Sequence, residues 1–298
     1  MSRKAGRKLT PMKILSHIGA LVASVVFTSC LAAAEDPRPV VDDSKAVAQA
    51  AARADLPTLY VVGDSTARSD APLRGWGAEI GAFFDPEKIN VVNRAIGGRS
   101  SRTFISEGRW DKILAELKPG DFVLVQFGHN DDGDYKNPKA KGRPSIRGDG
   151  DETAEALKAD RKTTEIIHSF GWYLRRYATD TKAKGATPIL LSMVPHQNWK
   201  EGKIVRKEKA TFVKWTSNAA KSTGAHFIDT SAIIAGGFQR LGPEQVAPLF
   251  GDARTHSTPA GANYNAAAVV VGMKSLAGNP LARYFSPRAD ALPPSLTP

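Results

Sequence analysis

The sequence predicts an α/β fold, a three-layer αβα sandwich around a five-stranded parallel sheet, and three observations carry the prediction. Five short apolar runs rich in β-branched residues recur along the chain, each continuous rather than alternating, as strands covered on both faces require. Segments of helical length separate them, which is the rhythm of strand–helix–strand units rather than of hairpins. The 298 residues, 42% apolar and 24% charged, have a globular composition and suffice for one large domain or two small ones.

Residues 1–34 read as a signal peptide. Arg3, Lys4, Arg7, Lys8 and Lys13 precede an apolar run from Ile14 to Ser29 and the small residues Ala32, Ala33 and Ala34, with no acid among them. The run falls short of the ~20 residues that cross a bilayer, so a cleaved leader is favoured over a membrane span. Cleavage would remove Cys30, the one cysteine, and leave a protein without disulfides, secreted or periplasmic. A lipoprotein anchored through Cys30 is the alternative, although Phe27 fits a lipoprotein signal poorly. Residues 35–55, rich in Ala, Asp and Arg without an apolar stripe, form a linker or a loosely attached helix.

The domain itself spans 56–286. Its expected strands are Leu59-Tyr60-Val61-Val62, Ile89-Asn90-Val91-Val92, Phe122-Val123-Leu124-Val125, Pro188-Ile189-Leu190-Leu191 and His226-Phe227-Ile228. Helices are expected around 74–84, 107–117, 163–184, 207–223 and 259–276, the last buried over most of its surface. A polar stretch at 131–164 is too long for a tight connection and reads as an active-site loop or lid. Residues 287–298 hold four prolines and read as a frayed tail.

In an open parallel sheet ligands bind beyond the carboxyl ends of the strands, and three of those ends carry unusual residues. The first runs into Gly63-Asp64-Ser65-Thr66, which could be a helix cap or a nucleophilic serine raised above the sheet. The second runs into Asn93-Arg94-Ala95-Ile96-Gly97-Gly98-Arg99-Ser100, a plain Gly-Gly turn or a backbone N–H offered at close approach. The third ends in Gly128-His129-Asn130-Asp131, an ordinary Asn-Asp turn or a side-chain amide for an oxyanion. Near the C-terminus His256 precedes a helix whose first turn is marked by Pro259, either as a surface histidine near a cap or as a base.

Together, serine, glycine, asparagine and histidine stand in the order of the SGNH (GDSL-like) hydrolases, a flavodoxin-like fold, and the sequence resembles that family. Asn93…Gly98-Arg99-Ser100, Phe127-Gly128-His129-Asn130-Asp131, Phe170-Gly171-Trp172-Tyr173-Leu174 and Thr255-His256…Gly261-Ala262 look like rhamnogalacturonan acetylesterases in particular. The resemblance covers roughly Leu56 to Ser286. It implies a serine esterase with Ser65 as nucleophile and His256 as base. It also implies an oxyanion hole from the N–H groups of Ser65 and Gly98 with the Asn130 side chain, and neither metal nor cofactor.

One position departs from the pattern. The family's triad acid lies three residues before the histidine, where this chain has Ala253, while Asp252 lies four before. Either the loop slips by one residue and Asp252 reaches the imidazole, or the acid is absent. The spacing favours a triad short of its acid, with Asp252 as a partial substitute.

The net charge of +11 would suggest a polyanionic partner, but five of its cations belong to the leader, and an exported chain argues against nucleic acid. No strand is followed by a phosphate-binding glycine motif. Arg99, Arg102, Arg109, Arg143, Arg147 and Arg206, with Trp110, Trp199, His129 and His196, are expected near the strand ends or in the long loop. Singly each reads as surface. As a set they suit an acetylated acidic polysaccharide, Arg taking carboxylates and Trp stacking on sugar faces. The substrate implied is rhamnogalacturonan, with acetylxylan or another acetylated carbohydrate as the alternative and a sugar-binding pseudo-enzyme as the reading from another class.

Overall fold

The computed structural model describes residues 52–158, 160, 162–206 and 210–293. The expected leader at 1–34, Cys30 and most of the linker lie outside the described residues. Five strands, β1 (Thr58–Gly63), β2 (Asn90–Asn93), β3 (Phe122–Gln126), β6 (Thr187–Leu191) and β9 (His226–Ile228), form a single parallel sheet in the order β2-β1-β3-β6-β9. Each falls within a residue of its expected place. Between them lie two small antiparallel ribbons, β4 (Thr153–Leu157) with β5 (Thr164–His168), and β7 (Trp199–Lys200) with β8 (Lys203–Ile204).

Continuous apolarity in the strands divides cleanly between two cores because successive side chains point to opposite faces. On β1, Leu59 and Val61 pack into one cluster, and Tyr60 and Val62 into the other. The first cluster is closed by α5 (Thr230–Val246), α6 (Pro259–Lys274) and α7 (Pro287–Asp290), and the second by α1 (Ser101–Ser106), α2 (Arg109–Glu116), α3 (Phe170–Ala183) and α4 (Ala210–Thr223). On α6, Ala268, Val269 and Val270 have no exposure, and each buried Val contributes roughly 1.5–3 kcal/mol relative to exposure. Pro259 in its first turn and the Thr258 side chain accepting from Gly261 N begin the helix.

Several expected helices take another form. The 74–84 segment is two short 3₁₀ turns, Trp76–Ala78 and Ile80–Phe83, the first entered through Gly75, where a Cβ would lie 2.2 Å from Ala67 C. Residues 164–168 of the expected 163–184 helix form β5 instead, since Thr-Glu-Ile-Ile-His is β-branched and finds a five-pair ladder with β4. The 131–164 stretch therefore holds a strand rather than loop alone. Helix α1 was not expected, although Ser100 and Thr103 form a reciprocal cap at its start. Nor was α5, whose Gly236, Gly237, Gly242 and Pro243 hide the helical pattern. At Gly237 a Cβ would collide with the Tyr264 hydroxyl of α6, so the glycine lets the two helices meet.

The tail is also more ordered than expected. Ala289 is fully buried, and Lys274 Nζ donates to Ala289 O and Leu292 O, tying the turn onto α6; residues 294–298 lie outside the described residues. Among the described residues no helix is long and apolar enough to cross a membrane.

Candidate active site

The strand order places β1 where successive connections leave in opposite directions, to β2 on one side and then to β3 on the other. A crevice must open there at the carboxyl ends. Gly63 lets β1 approach β3, since a Cβ on it would lie 2.8 Å from Gln126 O. Asp64, with no exposure, then caps the turn: its Oδ1 accepts from Thr66 N at 2.9 Å and Thr66 Oγ1 at 2.7 Å, and its carbonyl accepts from Ala67 N and Arg68 N. The capping role thus falls to Asp64, and the neighbouring Ser65 side chain faces the crevice. Burial pushes the Asp64 carboxyl up to about 6, against the hydrogen bonds from Thr66 that favour its charged form.

Ser65 Oγ lies 2.8 Å from His256 Nε2, and His256 Nδ1 lies 2.5 Å from Asp252 Oδ2. The expectation of a missing acid is therefore corrected: a carboxylate does reach the ring. It does so because the loop wraps around that side chain. Asp252 Oδ1 accepts from the backbone N–H of Arg254 at 2.9 Å, Thr255 at 2.6 Å and His256 at 3.0 Å. Four residues of separation then suffice for the other oxygen to meet Nδ1. Partial burial alone would raise the Asp252 carboxyl, but those three N–H groups and the His256 ring outweigh it and hold the group well below the usual carboxylate range. Ala253 is exposed, and its carbonyl accepts from Gln197 Nε2.

Gly98 adopts φ +76°, a conformation that favours glycine, and the preceding Gly97 brings the β2 turn against the serine: a Cβ there would lie 3.7 Å from Ser65 Cβ. Asn130 Nδ2 donates to Arg99 O at 3.1 Å, and its Oδ1 accepts from Arg143 Nη1 at 2.9 Å. Ser65, Gly98, Asn130 and His256 line one cleft of about 620 Å³, together with Arg68, Arg99 and Arg143. Such a cleft offers a hydroxyl beside a base, and backbone and amide donors around a single small group.

The expected cationic set is mostly structural. Arg102, with no exposed side-chain surface, pairs with Glu165 at 2.7 Å and donates to Pro144 O and Leu157 O, pinning the β4–β5 ribbon to α1. Arg109 pairs with Glu107, Arg147 with Asp132, and Arg206 with Asp229. Trp110 is fully buried and donates to Asp180, and Trp199 packs against the first core rather than lining the cleft. Arg99 lines the cleft while holding Glu107 and Gly97 O. His129 stacks on His196 with ring centroids 4.8 Å apart, and His196 Nδ1 lies 3.0 Å from Arg254 Nη2, so the pair borders the His256 loop rather than the cleft. Arg68 also lines the cleft, and its one mark in the sequence is its position three residues after Ser65, on the same turn. Neither Arg68 nor Arg143 pairs with a carboxylate among the described residues. Among those residues no cluster of three or more His, Cys, Asp or Glu is placed to hold a metal.

The sequence profile of the GDSL-like Lipase/Acylhydrolase family matches residues 61–264. A protein of Emericella nidulans named rhamnogalacturonan acetylesterase is 35% identical over 206 residues, covering 69% of this chain and 80% of that one. YesY of Bacillus subtilis, named a probable rhamnogalacturonan acetylesterase, is 32% identical over 231 residues, covering 75% of this chain and 94% of that one. The crystal structure of YxiM from Bacillus subtilis superposes with a TM-score of 0.57 at 27% identity and covers 74% of this chain, which spans 56% of YxiM.

Proposed function

This chain belongs to the GDSL-like lipase/acylhydrolase family, and from that premise we propose that it is an exported serine esterase which removes O-acetyl groups from an acidic plant polysaccharide, rhamnogalacturonan in particular. The observation that carries the chemistry is the unbroken chain from Ser65 Oγ through His256 to Asp252, with contacts of 2.8 Å and 2.5 Å. In this reading His256 Nε2 takes the Ser65 proton as Oγ attacks the acetyl carbonyl, and Asp252 steadies the imidazolium through Nδ1–H. Negative charge on the carbonyl oxygen is met by Ser65 N, Gly98 N and Asn130 Nδ2. The sugar hydroxyl leaves with the proton from His256. Water then attacks the acetyl-Ser65 ester by the same base, and acetate departs.

The substrate assignment is supported by the names of the relatives and by Arg68 and Arg143 in the cleft, whose charges no protein carboxylate offsets among the described residues. A uronate neighbouring the acetylated sugar would supply those carboxylates. Export is supported by the leader-like sequence at 1–34.

The experiment is acetate release from acetylated rhamnogalacturonan and from acetylated xylan, with Ser65→Ala as the reference. Turnover several-fold faster on the acidic polymer, abolished in Ser65→Ala, is expected. Faster turnover on xylan would replace the substrate reading with a neutral-sugar deacetylase, and polymer binding without any acetate release would replace the esterase with a binder.

A further inference from the structure

The esterase reading requires the Asn130 amide to point its nitrogen, not its oxygen, at the acetyl carbonyl, and nothing in an amide's shape enforces that choice. Its two ends are nearly equal in size, and a flipped Asn130 would set a carbonyl dipole against the developing negative charge. Two groups break the tie: the Arg99 carbonyl, which can only accept, and Arg143, whose charge makes it the stronger of the two. A guanidinium has donors and no acceptor, so the 2.9 Å contact from Arg143 Nη1 admits only Oδ1. The nitrogen is thereby turned the other way, where one hydrogen goes to Arg99 O at 3.1 Å and the second is left without a protein acceptor among the described residues.

Arg143 is itself well held. It follows Lys141 and Gly142, both with positive φ, which reverse the chain. On its other side Pro144 O accepts from the buried Arg102 at 3.0 Å, and Ser145 N donates to Asp131 O. Its Nη1 also stands 3.7 Å from where a Cβ on Gly98 would lie, so the cation borders both oxyanion donors that do not come from the serine.

We infer that Arg143, carried by the polar excursion after β3, is a positioning residue that fixes the Asn130 amide for the oxyanion and strengthens its N–H by polarising the amide. The inference rests on the esterase reading of the same cleft. Arg143 acts through Asn130 and therefore affects every ester the enzyme attacks, charged or neutral. A residue that only recognised the sugar's carboxylate would leave a small neutral ester untouched.

The test compares wild type, Arg143→Met and Arg143→Lys on 4-nitrophenyl acetate, and measures the rate at which a fluorophosphonate labels Ser65, since its phosphoryl oxygen needs the same donors. Arg143→Met should lower kcat roughly 10- to 100-fold, below the loss for a whole oxyanion donor, with KM changed much less. Labelling should slow in parallel, Arg143→Lys should recover part of both rates, and added guanidinium ion should raise those of Arg143→Met. Melting curves establish that the variants fold, and if the Met variant does not, the partial kcat loss in Arg143→Lys decides alone. Unchanged kcat and labelling, or a change confined to KM on the polysaccharide, would overturn the inference. Wild-type labelling without acetate release from any polysaccharide would sink the substrate assignment and leave Arg143 judged by labelling, whereas a wild type neither labelled nor active would overturn both.

Discussion

The two acids nearest the reacting groups, Asp64 beside the nucleophile and Asp252 beside the base, are held in opposite ways. Asp64 has no exposure and is fixed by the end of β1; Asp252, with its side chain 37% exposed, is fixed by the three backbone N–H groups that follow it. The nucleophile is positioned by the sheet, and its place admits no change of spacing because the residues on either side are fixed, Gly63 against Gln126 O and Thr66 between Gln126 and Asp64. The base is positioned by a loop that folds on its own carboxylate, and such a loop can move the acid by one residue and still present an oxygen to Nδ1. Similar chemistry thus coexists with a rigid half and an adaptable half.

The largest break in that comparison comes at the serine. Ser65→Ala should reduce kcat by about 10⁶ toward the residue of catalysis that binding alone supplies, measured as acetate release. Asp252→Ala should cost about 10³–10⁴, and Ala253→Asp in the intact chain should change kcat less than about threefold, since the imidazole already has its carboxylate. A large gain from Ala253→Asp would show that the adaptable half is not fully formed.

The pH dependence of stability sharpens the contrast. Asp64 titrates near 6 when folded, so between about 4 and 6 the folded chain holds the extra proton and its stability falls as pH rises. Asp252 is shifted the other way: its contribution is present above the unfolded carboxylate range and is lost only as pH falls below it. Relative to wild type, Asp64→Asn should therefore gain on the order of 1–3 kcal/mol between pH 4 and pH 7, whereas the deficit of Asp252→Asn should stay nearly constant above pH 4 and shrink as pH falls below it, both read from denaturant midpoints. Smallest is the effect of Arg68→Ala, a rise of several-fold in KM for the acidic polysaccharide that shrinks with added salt.

Much of this is legible in the sequence. Strands such as Val123–Val125 announce themselves because residues covered on both faces must be apolar without interruption, whereas Ser65, Gly98 and Asn130, each an ordinary turn residue alone, stand out through their joint order with His256 and the family resemblance it carries. What escaped depends on partners far along the chain. Arg102 reads locally as one more cation, and only Glu165, 63 residues away, and Leu157 O, 55 away, make it a buried pin. Helix α5 is hidden by its glycines, of which Gly237 makes room for Tyr264 of α6. The Asp252 oxygen reaches His256 through a backbone wrap that residue spacing does not encode.

The bond between Ser65 and His256 joins residues 191 positions apart, the first strand of the sheet to the threshold of its last long helix. As the chain emerges in order, the serine turn can settle against its neighbours early, yet the hydroxyl has no base until α6 has docked and carried the loop to it. The hydrolase is thus silent while it is incomplete. A chain that ends ahead of the His256 loop retains Ser65, Arg68 and Arg143 but lacks the base that the hydroxyl needs to break an ester.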